Sequence, residues 1–313
     1  MRYMIYSLNT LIMLCILSCS SSKVYKESGI TNLTQLTTDK SIEVDPCITQ
    51  DGTKIIFASD RGGGVEIWMM PISASGGIQQ ITVSSKSEDR APDYSDSTNE
   101  IVFQSTRVTG NWNIWKISLG NRGLTQLTNN EHGSFYPKWS PDFKKIAFTA
   151  IDKNGDPYIW VMGSNGENPT QLGPGAFPDW SPDGKKILYS SWTDTDNADV
   201  WVMNFDGTEQ IQITQEKEKQ ELYPVWSKDA KRIAYVVQYD KGNFYRPSQR
   251  KTSASQDFKS EIWICEAFGR NPTQLTSFQG LNISPCWSPD GIIAFVSSRG
   301  DSWDIWTMIP ISN

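Results

Sequence analysis

The sequence predicts an all-β fold: a six-bladed β-propeller of four-stranded antiparallel blades, closed by an N-terminal strand that becomes the outer strand of the last blade. Three markers carry this, each occurring six times and always in the same order. An Ile-Trp or Val-Trp pair places Trp68, Trp115, Trp160, Trp201, Trp263 and Trp306. A proline followed two residues later by a large apolar residue recurs at Pro46, Pro92, Pro137, Pro178, Pro224 and Pro285. A Gln-Leu or Gln-Ile pair, mostly inside TQLT, recurs at Gln35, Gln80, Gln126, Gln171, Gln212 and Gln274. Self-similarity at about 40–50 residues is the signature of a repeat architecture, and four short strands per repeat make it a propeller.

The elements follow from the best-formed copy, residues 177–214, read as strands A to D from the ring axis outward. Strand A is short and ends at Trp180-Ser181, where Pro182-Asp183-Gly184 signals a turn. An alternating run over 186–191 is strand B, and a polar loop leads to strand C over 199–203. Asp206-Gly207 turns the chain into strand D over 210–214. No stretch has helical periodicity. The sixth unit stops at Asn313 without a TQLT strand, while an extra one, residues 32–37, precedes the first A strand. Seating 32–37 beside the strand around Ile305 closes the ring and leaves no long unpaired edge between the termini.

The remaining segments are assigned in order. Residues 1–18 carry one arginine and an apolar stretch densest over 11–17, too short to span a bilayer as a helix but suited to a signal peptide. Ile16-Leu17-Ser18-Cys19 resembles a bacterial lipobox, which makes Cys19 the expected lipidation site and a lipid anchor the expected membrane attachment. Residues 19–30 form the lipidated cysteine and a linker, and 31–313 the propeller. The expected location is the cell envelope, on the periplasmic face of the outer membrane.

Ten of the 13 tryptophans fall at the two repeated positions, where flat apolar rings pack between neighbouring sheets. Trp112, Trp192 and Trp303 fall near B–C loops. Cys265 takes the slot held by Met70, Met162, Met203 and Met308 and is expected to be a small buried hydrophobe. Cys47 and Cys286 share one slot in units that become neighbours on closure, but equivalent side chains point the same way around a ring, so no disulfide is expected. Asp51, Asp96, Asp142, Asp183, Asp229 and Asp290 recur at the A–B turn as turn caps.

Composition narrows the chemistry. The net charge is −6 with no basic run outside one insertion, which disfavours nucleic acid as a partner. The single histidine, His132, excludes multi-histidine metal sites and leaves any Ser-His-Asp scheme one candidate, without a G-x-S-x-G motif. The loop beginning at Asp152 opens like a Ca²⁺ loop but has Pro157 at its sixth position and Gly163 at its twelfth. No cofactor or metal is expected. Carboxylate-only chemistry needs just two placed acids, and Glu43, Asp45, Glu88, Asp89, Glu131 and Glu221 are assigned to D–A loops on one open face.

The same register carries aromatic residues directly before the A-strand proline: Tyr136, Phe177 and Tyr223, with Phe135 beside them. These are expected to form a binding patch at the channel mouth, flanked by Glu221, Glu131 and Arg90, with Asp45 also counted among the binding residues. An insertion over 239–260, basic on an acidic protein, lengthens the B–C connection of unit five on that face.

The strings SPDG at 181–184 and 288–291, TQLT at 34–37, 125–128 and 273–276, and IW-x-M at 67–70, 159–162 and 305–308 resemble the repeats of the TolB-type, WD40-like propeller family of bacterial envelope proteins. The resemblance covers 31–313 and departs in two respects. The family's founding members carry an α/β domain before the propeller, where only residues 20–30 stand here. They are also soluble periplasmic proteins, whereas Cys19 is the expected lipidation site here. The resemblance is specific for fold and less so for function. Six complete blades, no catalytic constellation and the aromatic patch give the expectation of a non-catalytic, lipid-anchored envelope propeller that binds a protein or glycan partner through its loop face. The alternatives are a carboxylate-dependent polysaccharide lyase or glycosidase, and a propeller subunit associated with a peptidase.

Overall fold

The computed structural model describes residues 29–84, 86–108, 110–192, 197–216, 218–239, 259–277, 280–300 and 302–311. Residues 1–28, with Cys19, and 240–258 of the basic insertion lie outside them. The described residues form six four-stranded antiparallel sheets, and each sheet is one blade.

The A strands are Glu43–Ile48, Asp89–Ser95, Ser134–Trp139, Ala176–Trp180, Gln220–Trp226 and Asn282–Trp287. The B strands are Lys54–Ser59, Glu100–Ser105, Lys145–Ile151, Lys186–Ser191, Arg232–Gln238 and Ile293–Ser297. The C strands are Glu66–Pro71, Asn113–Ser118, Pro157–Gly163, Asp199–Asn204, Ser260–Glu266 and Asp304–Pro310. The D strands of the first five blades are short: Gln79–Gln80, Leu124–Gln126, Thr170–Pro174, Ile211–Gln212 and Thr273–Gln274. The sixth D strand is Ile30–Gln35, paired antiparallel with Asp304–Pro310 from Ile30↔Pro310 to Gln35↔Trp306. The predicted closure is therefore present, with the strand starting two residues earlier than expected.

Hydrophobic cores fill the spaces between blades. Trp139, Trp180, Trp226 and Trp287 are all buried there. The C-strand tryptophans divide, with Trp115 and Trp306 buried and Trp68, Trp160, Trp201 and Trp263 half-buried. The final threonine of the TQLT string explains its recurrence. The hydroxyls of Thr37, Thr82, Thr128, Thr214 and Thr276 each accept the N–H of the C-strand residue before tryptophan, at 2.8–2.9 Å. The A–B turn aspartates act as expected in five blades: Asp51, Asp142, Asp183 and Asp229 accept the N–H two residues on, and Asp290 accepts the Ser288 hydroxyl. Asp96 instead accepts the Gln50 N–H of the neighbouring blade. Cys47, Cys265 and Cys286 are buried and unlinked.

Blades one, two and six share a Ser-x-Arg at the end of strand B that the sequence reading did not single out. Arg61, Arg107 and Arg299 donate through Nε to Ser59, Ser105 and Ser297. Each guanidinium lies over a B-strand phenylalanine and a C-strand tryptophan, 5.2–5.8 Å from the ring centroids. Each also reaches back to its own A strand, at Glu43 (2.7 Å), Asp89 (2.6 Å) and Asn282 (3.1 Å).

Candidate functional site

Every A strand breaks register with its B strand at the residue before its proline. Those six residues, Asp45, Ala91, Tyr136, Phe177, Tyr223 and Ser284, all have φ between 49° and 59°. A residue before proline ordinarily takes an extended conformation, and a left-handed non-glycine residue is strained. The bulge absorbs that cost, and it bends the strand where it faces the ring axis. As a result all six pre-proline residues and all six prolines line one cavity of about 60 Å³ on the axis. That volume holds a few waters or the tip of one side chain.

The cavity has two unlike halves. Tyr136, Phe177 and Tyr223 come from consecutive blades and touch one another, with centroids 4.7 Å (Tyr136–Phe177), 5.7 Å (Tyr136–Tyr223) and 4.1 Å (Phe177–Tyr223) apart. The two tyrosine hydroxyls are 3.4 Å apart. Phe177 is buried while the tyrosines are half-exposed, so the three rings form a plug whose outer edge is tyrosine. Across the axis, Asp45 accepts the Ala91 N–H at 3.3 Å and the Ser284 hydroxyl at 3.3 Å. Burial raises the Asp45 carboxyl against the opposing pull of Arg90 and these hydrogen bonds.

One residue further along, three consecutive strands carry charge, Asp93, Lys138 and Asp179, while the other three carry Cys47, Val225 and Cys286. Lys138 Nζ sits 3.3 Å from Asp93, whose other oxygen accepts the Trp139 N–H at 2.8 Å. Asp179 accepts the Trp226 N–H at 2.8 Å in the same manner. Burial works against the Lys138 ammonium, but the Asp93 carboxylate, with Asp179 beyond it, outweighs that and holds it charged. Burial pushes the Cys286 thiol up to about 11 and Cys47 higher still, so neither is a nucleophile at neutral pH.

The remaining predicted residues are dispersed. Phe135 is buried and packs on Trp112, 6.3 Å between centroids. Arg90 is part-exposed and pairs with Glu88 at 3.4 Å. Glu43, Asp45, Asp89 and Glu221, read from the sequence as D–A loop residues, belong instead to A strands. The side chains of Glu43, Asp89 and Glu221 are sealed between blades, because each strand starts before its bulge and pairs there with strand B. Glu131 and His132 lie in an exposed turn. Asp152 accepts the N–H groups of Asn154 and Asp156, an ordinary loop closure. Among the described residues no group of three or more His, Cys, Asp or Glu side chains is placed to hold a metal ion. The sequence reading missed Asp93, Lys138 and Asp179, although their place one residue after the repeated proline was a usable signal.

Residues 77–197 match the TolB beta propeller domain family, PD40. The chain is 27% identical over 102 residues to an uncharacterized protein of Agrobacterium fabrum, and 30% identical over 118 residues to the Tol-Pal system protein TolB of Anaeromyxobacter dehalogenans. These matches cover 33% and 37% of this chain but only 34% and 26% of the relatives' own lengths. Among solved structures, a putative TolB from Agrobacterium tumefaciens superposes with a TM-score of 0.67 at 18% identity, over 88% of this chain and 93% of that one. An oligogalacturonate lyase from Vibrio parahaemolyticus superposes at 0.58 with 14% identity, over 92% and 96%. The described residues thus form a β-propeller similar to that of TolB, and residues 77–197 carry the match to the TolB beta propeller domain family.

Proposed function

We propose that this TolB-like propeller is a non-catalytic binding protein of the bacterial cell envelope, lipid-anchored at Cys19, that holds an envelope protein or glycan at its channel mouth. The observation that carries the reading is the axial cavity, to which all six blades contribute and where aromatic rings face a hydrogen-bonded aspartate. A mixed aromatic and polar concavity on a rigid ring suits recognition. The Tol-Pal name of the relatives in the sequence comparison supports a protein partner. Binding is favoured over carboxylate chemistry because Glu43, Asp89 and Glu221 are buried where a polysaccharide does not reach.

The test exploits the ring's own symmetry. Tyr136 and Tyr223 show that the pre-proline position accommodates tyrosine, so Ser284→Tyr fills the cavity without a new backbone demand. Crosslinking and capture from native envelope extracts are expected to lose the partner in Ser284→Tyr while the melting temperature stays within a few degrees. Undiminished capture by the filled variant rules out the channel mouth.

A further inference from the structure

Two residues before its tryptophan, every C strand except that of blade three carries a side-chain acceptor: Glu66, Asn113, Asp199, Glu261 and Asp304. These positions are internal controls for one another. Asn113 accepts the Thr128 hydroxyl at 3.0 Å and the Asn130 N–H at 2.8 Å. Asp199 accepts Gln212 Nε2 at 3.0 Å and the Glu216 N–H at 3.3 Å. Asp304 accepts the Thr37 hydroxyl at 3.4 Å and the Ser302 hydroxyl at 3.1 Å. Glu261 accepts the Thr276 hydroxyl at 2.6 Å and Asn282 Nδ2 at 3.1 Å, and its other oxygen lies 3.7 Å from Lys259.

Glu66 breaks this rule. It is 3% exposed, its Oε1 accepts one N–H, that of Ser84 at 3.4 Å, and its Oε2 has no hydrogen-bond partner. A carboxylate buried in that state costs free energy until a donor reaches it. The same carboxylate lines a cavity of about 620 Å³ between the B–C loop of blade one and the D–A connection that follows. Gly62, Gly63 and Gly64 form one wall of it. A Cβ on Gly62 would lie 2.8 Å from Oε2, and one on Gly64 would lie 3.2 Å from Oε1. Of the three, Gly63 alone has a left-handed φ. At 62 and 64 it is therefore the space over the two oxygens, and not the backbone, that calls for glycine.

The rest of the lining selects the charge of an occupant. Asp60 and Glu88 join Glu66 there, against Lys86 as the one cation. Asp60 accepts the Ile42 N–H at 2.8 Å, and Glu88 pairs with Arg90 at 3.4 Å, so Glu66 is the acid with the unmet need. Among the described residues no cluster suited to a metal ion forms here, which leaves an organic cation with N–H donors. On this same face the chain answers its own buried acids with guanidinium groups, Arg61 on Glu43 at 2.7 Å and Arg107 on Asp89 at 2.6 Å. A planar guanidinium fits against bare glycine backbone and has five donors to share among several carboxylates, which a compact ammonium lacks.

We propose that this cavity receives an arginine side chain of a protein partner, whose guanidinium donates to Glu66 Oε2. The site lies outward of the channel mouth on the loop face and gives the partner a second point of attachment. It rests on the binding role assigned above for the existence of that partner, and on Glu66 and its glycines for the chemistry.

The test is isothermal titration calorimetry of the full chain with a blocked glycine–arginine–glycine tripeptide and its lysine and citrulline counterparts. Citrulline keeps the shape of arginine and removes its charge. The arginine peptide is expected to bind, and both counterparts to bind about tenfold more weakly or worse. Glu66→Gln keeps the size of the side chain and is expected to weaken the arginine peptide by about tenfold. Gly62→Ala sets a methyl group over the carboxylate without altering its charge, and is expected to lose the peptide as well. It gives a second line of evidence should Glu66→Gln fold poorly. Absence of binding at millimolar arginine peptide, equal affinity for the citrulline or lysine peptide, or undiminished binding by Glu66→Gln overturns the assignment. The tripeptide needs no envelope component and does not enter the axial cavity, so the Ser284→Tyr capture experiment succeeds or fails separately.

Discussion

Arg107 does at residue scale what no surface pair does. Its guanidinium neutralises an Asp89 carboxylate with no exposed surface, bonds Ser105 and covers the Phe103 and Trp115 rings. Arg107→Ala leaves that charge buried and unpaired, and urea unfolding is expected to show a loss of about 3–5 kcal/mol. Replacing the outlying Arg270, paired with Glu266 on an exposed turn, is expected to cost under about 1 kcal/mol in the same assay. The acids Glu43, pushed up to about 7, and Glu221, pushed up to about 8, set a pH dependence. Both are raised in the folded state, so their contribution is complete below the ordinary carboxylate range and is lost as pH climbs through 7 and 8. The turn aspartates Asp51, Asp142, Asp183 and Asp229 are lowered, so theirs is lost as the medium becomes strongly acid. On these groups the melting temperature is expected to peak at about pH 4–4.5, above the range where the turn aspartates protonate and before the unfolded chain releases the protons that Glu43 and Glu221 keep in the fold. The Glu221→Gln variant is expected to fall less steeply than the parent above pH 7.

At the scale of elements, the C–D turns are tied to the D strand of the preceding blade. Gly269 has φ 78°, and a Cβ there would lie on the Ile213 carbonyl oxygen of that strand. Gly269→Ala therefore adds a steric clash to the left-handed penalty of about 1–2 kcal/mol. Gly63, with φ 96° and open space around it, is the matched control that pays the conformational term alone. Thermal denaturation is expected to rank Gly269→Ala well below Gly63→Ala. The TQLT threonines act at the same scale: Thr276→Val removes the acceptor for the Ile262 N–H and the donor to Glu261. A loss of about 1–3 kcal/mol is expected on chemical unfolding.

For the whole molecule, closure depends on a strand from the other end of the chain. Leu33 is 1% exposed and belongs to the same core as Trp287, Phe295 and Trp306. Leu33→Ala is expected to cost about 2–5 kcal/mol, whereas Thr31→Ala on the exposed side of that strand is expected to cost under about 0.5 kcal/mol. Calorimetry distinguishes the two, and equal effects would mean that the strand does not seal the ring.

Much of this was legible in the sequence. The repeat spelled out blade number, strand order and the closing strand, because each marker serves a local purpose that every blade must repeat: a turn cap at Asp183, a C-strand cap at Thr128, a packed ring at Trp180. The junction acids were misread because charge in a short segment looks like loop. The cation that allows Glu43 or Asp89 to lie in a buried strand comes from 18 residues away. The sequence by itself thus determined that six units form and how their ends meet. Only the tertiary structure decided which side chains the ring turns inward, since the axial cavity takes a pre-proline residue and its proline from each blade and exists only once all six have closed around it.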